Sequence, residues 1–118
     1  MKPAPRSPYP SESTIQDELS TALRHHQSGQ LEQAARIYQS ILERQPDHAD
    51  ALHLLGVVAL QQGNPQRAVE LIGRAIAVNP SVAAFHCNLA EAYRALGELD
   101  RAVFKIAKVR FRESNVGS

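Results

Sequence analysis

Between residues 50 and 78 the apolar positions recur every three or four residues. Leu52, Leu55, Val58 and Ala59 fall on one side of a helix, and Ala68, Leu71, Ile72, Ala75 and Ile76 on one side of a second. That period is the one with which an α-helix buries a single face. Gly63 separates the two runs; it can take a positive φ past a helix C-terminus, where a Cβ would be strained. Pro65 then stands in a first-turn position, where the missing N–H is no loss, and Asn79-Pro80 ends the second run. The pattern predicts helices over about 50–62 and 65–78. Gly56, Ala68 and Ala75 are small where the two would cross, which lets the backbones approach closely.

The same unit recurs along the chain. Glycines stand at 29, 63 and 97, and Ala34, Ala68 and Ala102 keep the same 34-residue spacing. Pro46 and Pro80 are also 34 apart, with Ser114 in the third place. The copies read "SGQLEQAARIYQSILERQPD", "QGNPQRAVELIGRAIAVNPS" and "LGELDRAVFKIAKVRFRESN". A fixed period of this length implies stacked helical units sharing one core. Three units follow, 15–48, 49–82 and 83–116. The last diverges after Val103: Phe104 and Phe111 stand where the middle copy has Glu70 and Ala77, and Arg110 and Arg112 replace Ile76 and Val78.

A 34-residue helix–turn–helix repeat with small residues in these places resembles the tetratricopeptide repeat (TPR), over about residues 15–116. In the middle copy the likeness rests on Leu55-Gly56, Ala59, Gly63, Ala68, Ile72, Ala75 and Pro80, with Leu52 where the family usually has Trp. The third copy contributes Leu89-Ala90, Tyr93, Gly97, Ala102 and Ile106; the first contributes Thr21-Ala22, His25, Gly29, Ala34, Tyr38, Ile41 and Pro46. The resemblance implies an all-α fold, an α-solenoid of three TPR helix-turn-helix hairpins in a right-handed superhelix, with the first helix of each pair lining the concave side. It also implies a non-catalytic protein–protein interaction module that holds a peptide or protein partner in that groove. Carried onto this chain, the peptide-binding positions are Ser20 and Leu23, then Asp50, His53 and Val57, then Asn88, Glu91 and Arg94. Gln16, Leu19, His26, Leu54, Gln61, Ala84 and Cys87 share the same faces.

Two subgroups of the family bear on the partner. Those that clamp a chaperone's C-terminal carboxylate use Lys, Asn and Arg at places held here by Leu19, Leu23, Leu54, Ala84 and Asn88, so that clamp is essentially absent. The wording "NLAEAYRALGELDRAV" is closer to the TPR region of bacterial O-GlcNAc transferase-like (SPINDLY-type) proteins, in which a recurring Asn bonds the backbone of bound polypeptide. An amide both donates and accepts, so it can pair with a peptide unit whatever its side chain. Only Asn88 matches; Ser20 and Leu54 hold the equivalent places. The alternative reading is therefore an N-terminal, substrate-presenting TPR fragment of such a glycosyltransferase.

Chemistry of other kinds finds little support. "HCNLAEAY", from residue 86, joins His, Cys, Asn and Glu, but adjacent helix residues diverge by roughly 100°, so His86 cannot serve Cys87 as a base. His86, at the position of Leu52, is expected to be partly buried packing, with Leu89 and Tyr93 as core. Histidines 25, 26, 48, 53 and 86 form no i, i+4 pair, and no CxxC, HExxH, phosphate loop or GxSxG occurs. No enzyme activity, metal or cofactor is expected.

Composition narrows the setting. A net charge of +1 over 118 residues argues against a nucleic-acid partner, which needs a concentrated basic face. A single cysteine gives no sign of an oxidising compartment. No apolar run is long enough for a membrane span or a secretory signal, and a cytoplasmic location is expected. Four of the seven prolines fall within residues 1–13, which reads as a disordered leader carrying one PxxP match, Pro5 to Pro8. The tail "FKIAKVRFRESNVGS" has four basic residues and one acid, a weak case for contact with a membrane surface. A last repeat without a polar cap is expected to self-associate through residues 85–111.

Overall fold

A computed structural model describes the backbone of residues 12–116 and the side chains of residues 14–100. The leader, except for its last two residues, and the side chains of the basic tail lie outside that description. Five helices follow one another: α1 (Glu12–Gln27), α2 (Leu31–Arg44), α3 (Ala49–Gln61), α4 (Pro65–Val78) and α5 (Ala83–Val116). No strand occurs among the described residues, and the chain is an all-α helical-repeat solenoid.

The first two hairpins close by the same device. After α1, the Gly29 amide donates to the His26 carbonyl at 3.1 Å and the Gln30 amide to His25 at 2.8 Å. After α3, Gly63 donates to Leu60 at 3.1 Å and Asn64 to Ala59 at 2.8 Å. Both glycines sit at φ +81°. This paired closure satisfies carbonyls that a helix end would otherwise leave open. Asn64 then caps α4, its Oδ1 accepting from the Arg67 amide at 3.2 Å, with Pro65 in the first turn as expected.

Packing within each hairpin explains the small residues. A Cβ built on Gly56 would lie 2.6 Å from Cγ1 of Ile72 and 3.4 Å from the Ala68 carbonyl oxygen. α3 and α4 therefore touch nearly backbone to backbone there. Around that contact a continuous core runs through Ile15, Leu19, Ala22, Ala34, Tyr38, Ile41, Leu52, Val58, Ala68, Ile72, Ala75 and Phe85. Tyr38 is fully buried, and its hydroxyl has no hydrogen-bond partner among the described residues. Burial pushes the phenol pKa up to about 12.

The third hairpin expected from the repeat does not form. α5 runs unbroken for 34 residues through Gly97, whose φ is not positive. The reason lies beside the glycine rather than in it. Ser28 precedes Gly29 and Asn64-Pro65 follows Gly63, whereas Gly97 stands between Leu96 and Glu98-Leu99. Ala95, Leu96, Glu98 and Leu99 favour helix, so one interior glycine costs only about 1 kcal/mol and does not stop it. With no second helix folded back on α5, two core expectations fail. Tyr93 is 55% exposed, against 3% for Ala59 in the same place of the previous repeat. His86 is exposed rather than packed and donates from Nε2 to the Pro80 carbonyl at 2.7 Å, while Phe85 takes the buried place. Leu89 packs against the core only in part.

Three stability predictions follow from this packing. Gly56→Ala forces Ile72 out of place and lowers stability by about 1–2 kcal/mol despite its better helix propensity. Gly73→Ala meets nothing within 4 Å and raises stability by about 0.5–1 kcal/mol; urea unfolding of both variants checks the opposite signs. Tyr38→Phe removes a buried hydroxyl that bonds to none of the described residues, so its thermal midpoint should equal or exceed that of the wild type.

Candidate functional site

The first helices of the repeats, α1, α3 and α5, lie side by side, joined by two hydrogen bonds of the same kind. The His26 ring meets Gln61 at 2.7 Å, Nε2 to Oε1, across α1 and α3. Asn88 Nδ2 donates to His53 Nε2, also at 2.7 Å, across α3 and α5. Each pair is separated by 35 residues, one repeat plus one position. Both set an imidazole against a side-chain amide, and together they pin the face that the three helices share.

His53 sits at the centre of that face but is scarcely open to it. It is 9% exposed and lies against Phe85, ring centroids 4.6 Å apart and planes tilted by 38°. Burial holds its pKa below the usual histidine value, a shift that Asp50 opposes. A neutral ring accepting at Nε2 carries its proton on Nδ1. Asn88 is half-buried, and its Oδ1 makes no hydrogen bond among the described residues.

The sequence-derived positions divide by burial. Ser20, Asp50, Glu91 and Arg94 are exposed, Leu23, Val57 and Asn88 are half-buried, and His53 is buried. Leu19, from the same face, belongs to the core at 7% exposure. Glu91 and Arg94 pair with each other one turn apart and line an open cleft of about 360 Å³ with Leu60, Ala95 and Glu98. Leu60, Ala95, Glu98 and the supporting Phe85 were not singled out by repeat register alone. The 35-residue offset joins His26 to Gln61 and His53 to Asn88, whereas Phe85 stands 32 positions after the ring it supports.

The thiol of Cys87 is exposed, and the neighbouring His86 ring is turned back onto the Pro80 carbonyl. His86 is therefore not aimed at the sulfur as the base that a nucleophile requires. Among the described residues no group of three or more His, Cys, Asp or Glu side chains could hold a metal ion. Nor, among them, is any helix long and apolar enough to cross a membrane.

The His53–Asn88 bond exists only while Nε2 is unprotonated, and the lowered pKa means that folding favours the neutral ring. The unfolded chain binds a proton at this position below about pH 6.5, where the native chain resists it. Native stability from this site is thus complete above that pH and is lost as pH falls through the lower native pKa. His53→Leu should show a shallower fall of melting temperature between pH 7 and 5 than the wild type, and the wild-type His53 ring signals should titrate below pH 6.5 by NMR.

The sequence profile of the tetratricopeptide repeat matches residues 25–86 and again 59–112. No curated protein matches the chain. Among solved structures, an O-GlcNAc transferase of Thermobaculum terrenum in mutant form superposes with a TM-score of 0.71 at 35% identity, over 78% of this chain and 18% of its own. The MamA protein superposes with a TM-score of 0.66 at 21% identity, over 80% of this chain and 51% of its own, a likeness of fold alone. The chain thus spans about a fifth of the first and half of the second. With paired helices in 34-residue register, two glycine-closed hairpins and a profile match over most of its length, the chain belongs to the tetratricopeptide repeat family, whose members generally serve as protein-interaction modules.

Proposed function

We propose that this chain is a non-catalytic module that holds a peptide segment of a partner protein across the face shared by α1, α3 and α5. The observation that carries this reading is the Asn88 amide. It is half-buried between two helices, held by His53, and keeps an open Oδ1. A fixed acceptor of that kind can take a backbone N–H without selecting a side chain. Glu91 and Arg94, on the following turn of the same helix, border the adjoining cleft and add charge of both signs. Ser20, Leu23, Asp50 and Val57 extend the face across the other two helices and supply mixed polar and apolar contacts.

A second reading is favoured by the 35% identity to one segment of the Thermobaculum terrenum enzyme. In it the same face presents polypeptide to a nucleotide-sugar glycosyltransferase domain encoded in, or beside, the same reading frame. Both readings give the face the same task, and genomic context separates them. Turnover by the purified chain would contradict both.

Peptides selected on the wild-type protein by phage display provide the test. Asn88→Ala should raise their Kd by about fivefold, the loss of one net hydrogen bond of about 1 kcal/mol, with the melting curve as a control for folding. Unchanged affinity for every selected peptide would remove Asn88 from the binding face.

A further inference from the structure

Each of the two amide–imidazole bonds uses only one end of its amide. At the step from α1 to α3 the His26 ring meets Oε1 of Gln61, an atom that only accepts, so His26 carries its proton on Nε2. At the step from α3 to α5 the order is reversed: Nδ2 of Asn88 donates, and His53 accepts with its proton on Nδ1. The two rings are opposite tautomers, and the atoms left over are opposite as well. Gln61 keeps an unused donor, Nε2, and Asn88 an unused acceptor, Oδ1; neither atom bonds to any described residue. Gln61 is exposed and Asn88 half-buried, so both ends are within reach of a ligand.

Resting on the reading of this face given above, we infer that Gln61 is a second peptide-binding residue. It donates from Nε2 to a backbone carbonyl of the same segment whose N–H is taken by Asn88 Oδ1. A peptide backbone carries both a donor and an acceptor at each residue, so it answers both amides without calling on side chains. The repeat sets the spacing. Leu54 is in register with Asn88, and Gln61 stands seven positions beyond Leu54, which is about 10 Å along the helix. The Gln61 amide reaches towards α1 and the Asn88 amide towards α3, so the two are also displaced sideways by one helix spacing of about 9 Å. An extended chain crosses the resulting diagonal of about 14 Å in about four residues. Half-buried Leu54 and Val57 lie on α3 between the two amides and give that chain an apolar floor. The ligand is thus an extended segment gripped at two separate peptide units, by its carbonyl at one and by its N–H at the other.

Gln61→Glu separates this role from the structural one, because the carboxylate keeps an oxygen for the His26 N–H and loses only the donor. The probes are short peptides without charged residues, selected on the wild-type protein by phage display, so that the added charge has no ionic partner in the ligand. Against them Gln61→Glu should raise Kd about five- to tenfold without lowering the melting temperature. Replacing each peptide bond of a probe in turn by an ester removes its N–H and makes its carbonyl a poorer acceptor. One ester should lose its cost in Asn88→Ala, and a different one, about four residues away, should lose most of its cost in Gln61→Glu. Unchanged affinity of Gln61→Glu, or both amides mapping to the same or neighbouring peptide bonds, overturns the inference while leaving Asn88 in place. Probes whose affinity also ignores Asn88→Ala overturn it together with the reading of the face on which it rests.

Discussion

A glycine in the left-handed region, with its own amide and the next one turned back on the helix just ended, is what reverses this chain after α1 and again after α3. Everything else presupposes that reversal. Only a reversed chain can lay Ile72 over Gly56, or bring Tyr38 into a core that begins at Ile15. Closure depends on two residues at once, the glycine that reaches φ +81° and a follower able to leave the helix. Gln30, after Ser28-Gly29, and Asn64 both leave it, and Asn64 goes on to cap α4. Glu98 stays in it, and a 34-residue helix results.

Between repeats the bonding is of a different type. Within a hairpin the contacts are apolar and close, as at Gly56, whereas the first helices of neighbouring repeats are also tied by the His26–Gln61 and His53–Asn88 pairs. Such amide–imidazole bonds are directional and fix the rotation of one helix against the next more tightly than apolar packing alone. The face they pin is where the candidate binding residues collect. The geometry of that face therefore rests on a few polar contacts, set on an apolar scaffold that the hairpins supply.

Much of this was legible in the residues. The apolar period located α3 and α4 to within a residue, because a buried stripe has to recur at helical spacing whatever lies opposite it. Gly63, Pro65 and Asn79 marked the ends for reasons local to the backbone. What escaped was the fate of the third copy. Gly97 and Ala102 keep the signature of the repeat, and that signature records packing positions, not the energetics of the turn. The burial of Tyr93 and His86 was expected on the assumption that a second helix would cover them, whereas Phe85 is buried by its contact with His53 of α3. His53 looked like a groove residue by register, but its burial depends on Phe85, 32 positions further along, which no single-repeat pattern contains.

The bond between His53 and Asn88 also links occupancy of the face to protons. A ligand carbonyl that takes the Asn88 Nδ2 hydrogen must draw it away from His53, leaving Nε2 unsatisfied and more basic. Burial still disfavours the charged ring, so any proton taken up with such a ligand is taken up on the acid side of neutrality, where the measured enthalpy would change with the ionisation heat of the buffer. A ligand that uses only Oδ1 would leave the imidazole as it is, and its enthalpy would be the same in every buffer. Because linkage is reciprocal, mild acidification would strengthen the first kind of ligand relative to the second, so the pH dependence of binding would report which end of a single amide a ligand grasps.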